Sequence, residues 1–154
     1  MKMLHVITDL NGYGGTEKTL LRYLAGTDRT RVEHVVYVLK DCGGADTVGA
    51  AIRNLGVRIH EFGLNRPRNA LAFVFSFLRR LRKERPDVIS AWLYHPIAVT
   101  ELARRLIPGK PRIVWHIRSL PSYAQGPGLR NRGRRAFLWF IGVLSRRSGA
   151  PIVA

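Results

Sequence analysis

Short apolar runs alternate with longer amphipathic stretches from one end of the chain to the other. Residues 3–8 form an apolar strand pattern that runs into a glycine-rich loop and then a helical pattern over 16–24. Residues 33–39 are a nearly continuous β-branched run, as expected of a strand buried on both faces. A loop at 42–46 leads to a short predicted helix from Thr47 to Leu55, closed by Gly56. Residues 57–62 alternate and predict a third strand, followed by a connector containing Pro67. Asn69 caps a long predicted helix that Pro86 stops after Arg85. Residues 87–92 and 112–117 predict the fourth and fifth strands, separated by a helix that begins at His95 or Pro96 and runs to Leu106. After an irregular stretch rich in Pro and Gly, a helix is expected over 130–148 and a sixth strand from Pro151.

Unbroken alternation of strand and helix predicts an α/β domain with a doubly wound parallel sheet and right-handed crossovers. Six strands in the order 3-2-1-4-5-6 are expected, with helices on both faces, making residues 1–154 one Rossmann-like domain. A chain that stops partway into an apolar strand reads as the first half of a longer protein.

In open α/β sheets ligands bind beyond the carboxyl ends of the strands, where helix N-termini present bare N–H groups. Gly12, Gly14 and Gly15 follow the first strand and are expected to let the backbone turn sharply and a ligand approach closely. Thr16 and Glu17 are expected to supply a capping hydroxyl and a favourable first-turn acid. The loop departs from the dinucleotide fingerprint because Glu17 stands where the third glycine is required. It also lacks the Gly-Lys-Ser/Thr of a P-loop. The plain alternative is a tight turn whose glycines serve backbone angles alone.

Composition narrows the classes. A length of 154 residues suffices for a core without staples, and the single Cys42 excludes an internal disulfide. No apolar run approaches the roughly 20 residues of a spanning helix, and no signal peptide is visible, so a cytoplasmic protein is expected. Charge is unevenly placed. Residues 1–64 hold 8 Lys/Arg against 7 Asp/Glu, whereas residues 65–154 hold 18 against 3. This asymmetry points to a partner carrying phosphates, anionic lipid or nucleic acid, although a GC-rich genome would also raise the Arg content.

Loops after strands one, four and five should meet at one crevice. They carry the glycine loop, Tyr94 and His95, and His116, Arg118 and Ser119. Imidazoles there can hydrogen-bond sugar hydroxyls or phosphate, and Arg118 can grip an anion in bidentate fashion. His5 is expected to be a buried, satisfied core residue, and His34 and His60 to lie at strand-edge surfaces. No cluster has metal-ligand spacing and no nucleophile elbow is present, which argues against metalloenzyme and serine-hydrolase readings.

Two helices are unusually apolar. In the helix from Asn69, Leu71, Val74, Phe75, Leu78 and Leu81 form the stripe expected to face the sheet. Phe73 and Phe77 fall off it, beside Arg79, Arg80, Arg82 and Lys83. In the last helix, Trp139 lies off the core stripe amid further arginines. Aromatics beside clustered arginines suit an interfacial membrane contact. Contact with a second domain and burial within this one are the alternatives.

The opening segment Leu4-His-Val-Ile-Thr-Asp-Leu-Asn-Gly-Tyr-Gly-Gly-Thr-Glu-Lys18, the strand at 34–39, the segment Arg85-Pro-Asp-Val-Ile-Ser-Ala-Trp-Leu-Tyr-His95 and Val114-Trp-His-Ile-Arg-Ser119 together resemble the N-terminal domain of family 4 glycosyltransferases. The resemblance spans the chain. It implies the N-terminal half of a retaining GT-B enzyme that moves a sugar from a nucleotide-sugar donor to a lipid-linked or cell-envelope glycan acceptor. It places Gly12, Gly14, Gly15, Glu17, Tyr94, His95, Arg118 and Ser119 around donor phosphates and acceptor, and His116 beside the transferred sugar as the catalytic residue. It implies no metal or cofactor beyond the donor, and a nucleotide-binding C-terminal domain that this chain does not contain. The rival reading is a non-catalytic, basic Rossmann-like module for an anionic partner, but no nucleic-acid motif supports that and none is expected to bind.

Overall fold

The computed structural model describes residues 1–64, 70–117, 139–143 and 148–153. Six strands make one all-parallel sheet: β1 (Lys2–Ile7), β2 (Glu33–Val38), β3 (Arg58–Glu61), β4 (Val88–Trp92), β5 (Arg112–His116) and β6 (Ile152–Val153). Their order is β3-β2-β1-β4-β5-β6, as the alternation predicted. The crossovers include α1 (Gly15–Gly26), α2 (Val48–Asn54), α3 (Ala70–Glu84) and α4 (Tyr94–Arg104). Arg118, Ser119, Asn69 and most of the expected last helix lie outside the described residues. Of that helix, residues 139–143 are helical.

Side-chain alternation divides the sheet between two cores. Leu4, Val6, Val35, Tyr37, Ile89, Ala91, Ile113 and Trp115 point to one face, where Phe73, Phe77, Leu81 and Ile97 cover them. Ile7, Val36, Val38 and Trp92 point to the other, beneath Leu20 and Leu24 of α1 and Val48 and Ile52 of α2. Burial on both faces explains why β1 and β2 are apolar at nearly every position rather than alternating.

Local signals set several element ends. The Thr47 hydroxyl caps α2 by accepting from the Ala50 N–H at 3.3 Å. Gly56 takes φ 76 to leave that helix, a conformation that costs an L-residue a Cβ clash. For α1 the expected cap is displaced. Gly14 is the N-cap residue and makes no side-chain cap bond, so Thr16 lies inside the first turn rather than capping it.

The face of α3 also differs from expectation. Phe73, Phe77 and Leu81 are the buried residues, while Leu71 and Phe75 are 77% and 75% exposed. Phe73 and Phe77 are therefore core residues and not membrane contacts. Aromatic partners decide the rotation of the helix. Phe77 packs at 5.7 Å from Tyr37 and 5.2 Å from Phe62, and Phe73 at 5.7 Å from Phe62, by ring centroids. Such ring pairs contribute about 0.5–1.5 kcal/mol beyond the area term, and the rings of Tyr37 and Phe62 give that gain to Phe73 and Phe77.

His34 is likewise inside, not at a surface. β2 lies between β3 and β1, and His34 is 6% exposed. His60, on the edge strand β3, is half-buried beside Arg80 and Glu84. His5 is buried and hydrogen-bonded, as expected.

Candidate functional site

The carboxyl edge of the sheet is assembled from the ends of β1, β2, β4 and β5. The loop after β1 is pinned by backbone bonds to its neighbours: Lys40 N–H to Thr8 O at 2.9 Å, Leu10 N–H to Asp41 O at 3.3 Å and Gly49 N–H to Leu10 O at 3.3 Å. Leu10 is wholly buried and anchors the loop in the α1–α2 core. Beyond this anchor, residues 11–15 are exposed.

None of Gly12, Gly14 and Gly15 has a positive φ. Sharp turning is therefore not what these glycines provide. A Cβ on Gly12 or Gly15 would meet no atom of the described residues within 4 Å beyond their own chain neighbours. At Gly14 the Cβ position is taken by the Glu17 carboxylate, which folds back over the cap. Lys18 N–H reaches Gly14 O at 3.1 Å, so the N–H groups before it lie in the first turn, which has no intrahelical acceptors. The turn that does require glycine is Gly43 after β2. It has φ 66 and sits where a Cβ would come within 2.7 Å of Asn11 Oδ1 and 3.3 Å of its Cα.

α4 starts from an irregular junction. Leu93 precedes it with φ 68 and ψ 177, a region almost reserved for glycine and worth about 1–3 kcal/mol of strain. Its N–H donates to His116 O at 2.9 Å, and its carbonyl accepts from Ile97 N–H at 3.2 Å. Pro96 sits in the first turn, where its missing N–H wastes no helical bond. His95 projects at this helix start and is exposed. Desolvation by its surroundings, then the nearby Lys40 cation, lowers its pKa, which favours a neutral imidazole. Tyr94 is half-buried against the core on the α3–α4 face rather than standing free at the edge.

His116 is the last residue of β5 and pairs across the ladder with Trp92. Its ring stacks on the indole with centroids 4.0 Å apart and planes 8° from parallel. Because β1, β4 and β5 are consecutive in the sheet, the carboxyl ends of β1, which leads into the glycine loop, and of β5, which ends at His116, are two strand spacings apart, about 10 Å. His95, His116 and the glycine loop thus share one edge. Sequence reasoning missed Lys40, whose ammonium lies 3.9 Å from Asp9 at the tip of β2. Its only signal was its place one residue beyond a buried strand.

Chemically, this edge offers helix-terminal N–H groups and a lysine for an anion, and imidazoles for hydroxyl groups. Among the described residues no three His, Cys, Asp or Glu side chains are grouped to hold a metal. Residues 14–154 match the family model for the glycosyl transferase 4-like domain. The chain belongs to that family. This glycosyl transferase 4-like domain shares its fold with solved GT-B enzymes. One is HepE from Anabaena in complex with UDP and glucose, at TM-score 0.70, 19% identity, and coverage of 100% of this chain and 38% of that one. The lipopolysaccharide outer core galactosyltransferase WaaB aligns at 0.58, with 16% identity, 75% of this chain and 32% of its own. MurG of Acinetobacter baumannii aligns at 0.53, with 14% identity, 75% and 34%. The domain therefore spans little more than a third of the length of these structures. No curated protein is significantly similar in sequence.

Proposed function

We propose that this domain is the acceptor-side half of a retaining glycosyltransferase, which moves a hexose from a nucleotide-sugar to a lipid-linked or cell-envelope glycan. A further, nucleotide-binding domain would complete it. The observation that carries the reading is the shared edge of an open glycine loop, the start of α1 and the stacked His116, within a chain of this family. The N–H groups of α1 would face the donor phosphates, and His116 would hydrogen-bond the sugar being transferred. Family membership favours this over a non-catalytic basic module. The test is product stereochemistry. An enzyme joining this chain to its nucleotide domain should transfer sugar with the donor's anomeric configuration kept, read by NMR of the product, whereas an inverted product would refute retention. The 154-residue chain alone should release no nucleotide, because preorganised stabilisation of the departing phosphates is usually the largest catalytic term and most of its groups would sit in the other domain.

The same reading includes a membrane-facing surface, now moved to the opposite side of α3. Leu71, Val74 and Phe75 of α3 are exposed, as are Leu102 of α4 and Leu106 just after it, and Val74, Leu102 and Leu106 line one apolar groove. This groove of about 460 Å³ runs between the two helices, lined on one side by exposed Arg105, with the Arg82 guanidinium donating to Leu106 O at 3.1 Å beside it. Trp139 is 69% exposed and remains a candidate contact. Basic rims around apolar side chains complement an anionic bilayer, at about 1 kcal/mol per cation near the surface. Among the described residues no helix is long and apolar enough to cross a membrane. Sedimentation with anionic vesicles, weakened by salt and by Phe75→Glu, is expected; equal recovery with neutral vesicles would refute it.

A further inference from the structure

Three aromatic or imidazole groups stand in line across the α1–α2 face of the sheet behind His116. The Trp92 indole N–H donates to His5 Nδ1 at 3.3 Å, and His5 Nε2 lies 3.0 Å from His34 Nδ1. His5 is 0% exposed, Trp92 2% and His34 6%. Donor logic determines the whole line. An indole N–H can only donate, so His5 Nδ1 must be bare. Neutral His5 then carries its proton on Nε2 and donates it to His34. That leaves the His34 proton on its own Nε2, which is buried without a partner among the described residues. Burial first, then the charges of His34 and His116, bring the His5 pKa down to about 3, so the ring is neutral under ordinary conditions. A buried N–H without a partner is a costly feature for a core to keep.

We propose that Trp92 is a positioning residue that sets the plane of the His116 imidazole, and that His5 sets Trp92 by accepting its indole N–H. The proposal rests on the reading of His116 as the group beside the transferred sugar. The geometry supports it from two directions. The indole presents a flat platform 4.0 Å under the imidazole, and the Leu93 N–H bond to His116 O ties the backbone of the same pair. Trp92 is already held by the packing of its core, and the bond to His5 adds a directional restraint on the rotation of the indole. Alignment of a reacting group is worth large factors in rate, so an uncoupled platform should lower kcat and leave substrate affinity untouched.

Long-range ¹H–¹⁵N correlation of the histidine rings in the 154-residue chain tests the platform directly. His5 is expected with its proton on Nε2, and the His116 ring protons are expected upfield, shielded by the indole. His5→Leu removes the acceptor and should return the His116 signals toward those of an unstacked imidazole. His5→Gln, whose carbonyl can accept from Trp92 and whose amide can donate to His34, should retain the shielding. In the two-domain enzyme His5→Leu should lower kcat by about 10- to 100-fold at constant KM, with His5→Gln restoring most of it. Unshielded His116 protons in the unaltered chain, or His5 protonated on Nδ1, would overturn the proposal even if His5→Leu fails to fold. If the shielding behaves as described and His116→Ala leaves turnover intact, the platform stands and the reading of His116 falls.

Discussion

Rotation of α3 is the point at which two amphipathic readings of one helix make opposite predictions, so a pair of alanine substitutions separates them. Phe77 is 1% exposed and its ring lies 5.2–5.7 Å by centroids from Phe62, Phe73 and Tyr37. Truncation to alanine removes a buried phenyl ring and opens a cavity that a parallel sheet cannot collapse to fill. The cost is about 3–5 kcal/mol. Phe75, two residues away, is 75% exposed, and Phe75→Ala should change stability by no more than about 0.5 kcal/mol. Against a total stability of about 5–15 kcal/mol, the first substitution removes a large share. At a urea m-value of about 2 kcal/mol/M, it should lower the unfolding midpoint by roughly 2 M, while Phe75→Ala leaves the midpoint in place. Urea titration followed by far-ultraviolet circular dichroism reads both. Equal shifts, or the larger shift at Phe75, would show that the helix presents its other face to the sheet.

Acid sensitivity follows from the buried histidines. His5 titrates near 6.5 when unfolded and at about 3 when folded, so the unfolded chain binds the extra proton between these values. Stability is then fully present above about pH 6.5 and falls by about 1.4 kcal/mol per pH unit below it, toward pH 3. Lowered pKa values at His34, His60 and His95 act in the same direction. Thermal melts from pH 7 to pH 4 should show this fall, and His5→Gln should flatten it; a melting temperature that rises on acidification would contradict the assignment. Tyr37 carries a buried hydroxyl without a hydrogen-bond partner among the described residues, so Tyr37→Phe should leave stability unchanged or raise it by up to about 1 kcal/mol, measured by the same urea titration. A loss of more than that would mean that the hydroxyl is bonded.

Strand identity and order were legible because continuous β-branched runs separated by helical stretches admit few sheets, and right-handed crossovers remove most of the remainder. The α3 face was not legible. Leu71, Val74, Phe75, Leu78 and Leu81 satisfy a helical stripe as well as Phe73, Phe77 and Leu81 do, and periodicity cannot rank two apolar faces. Tyr37 and Phe62, distant in sequence, made the choice through ring packing. At the site, the glycine loop and His116 were visible as strand-end residues with suitable chemistry. Of the two reasons read for the glycines, sharp turning fails, since none of the three has a positive φ, while close approach accords with the space beside Gly12 and Gly15 among the described residues. The line from His34 through His5 to Trp92 was hidden for another cause. Trp92 and His5 are 87 residues apart, and each reads alone as unremarkable core. Sequence patterns report faces and ends of elements, whereas such a line exists only once neighbouring strands are in register.

Turnover by single-site variants tests the central claim most directly. Gly15→Ala adds a methyl group to space that holds no atom of the other described residues within 4 Å, and His116→Ala removes a ring from the sheet edge. In an enzyme that joins this domain to its nucleotide domain, both variants should melt within a few degrees of the parent. His116→Ala should lower kcat/KM for nucleotide-sugar by about 100-fold or more, and Gly15→Ala should lower it through crowding of the donor phosphates. Transfer at the parental rate by both folded variants would contradict the account, because it would mean that the carboxyl edge of this sheet does not meet the reacting sugar.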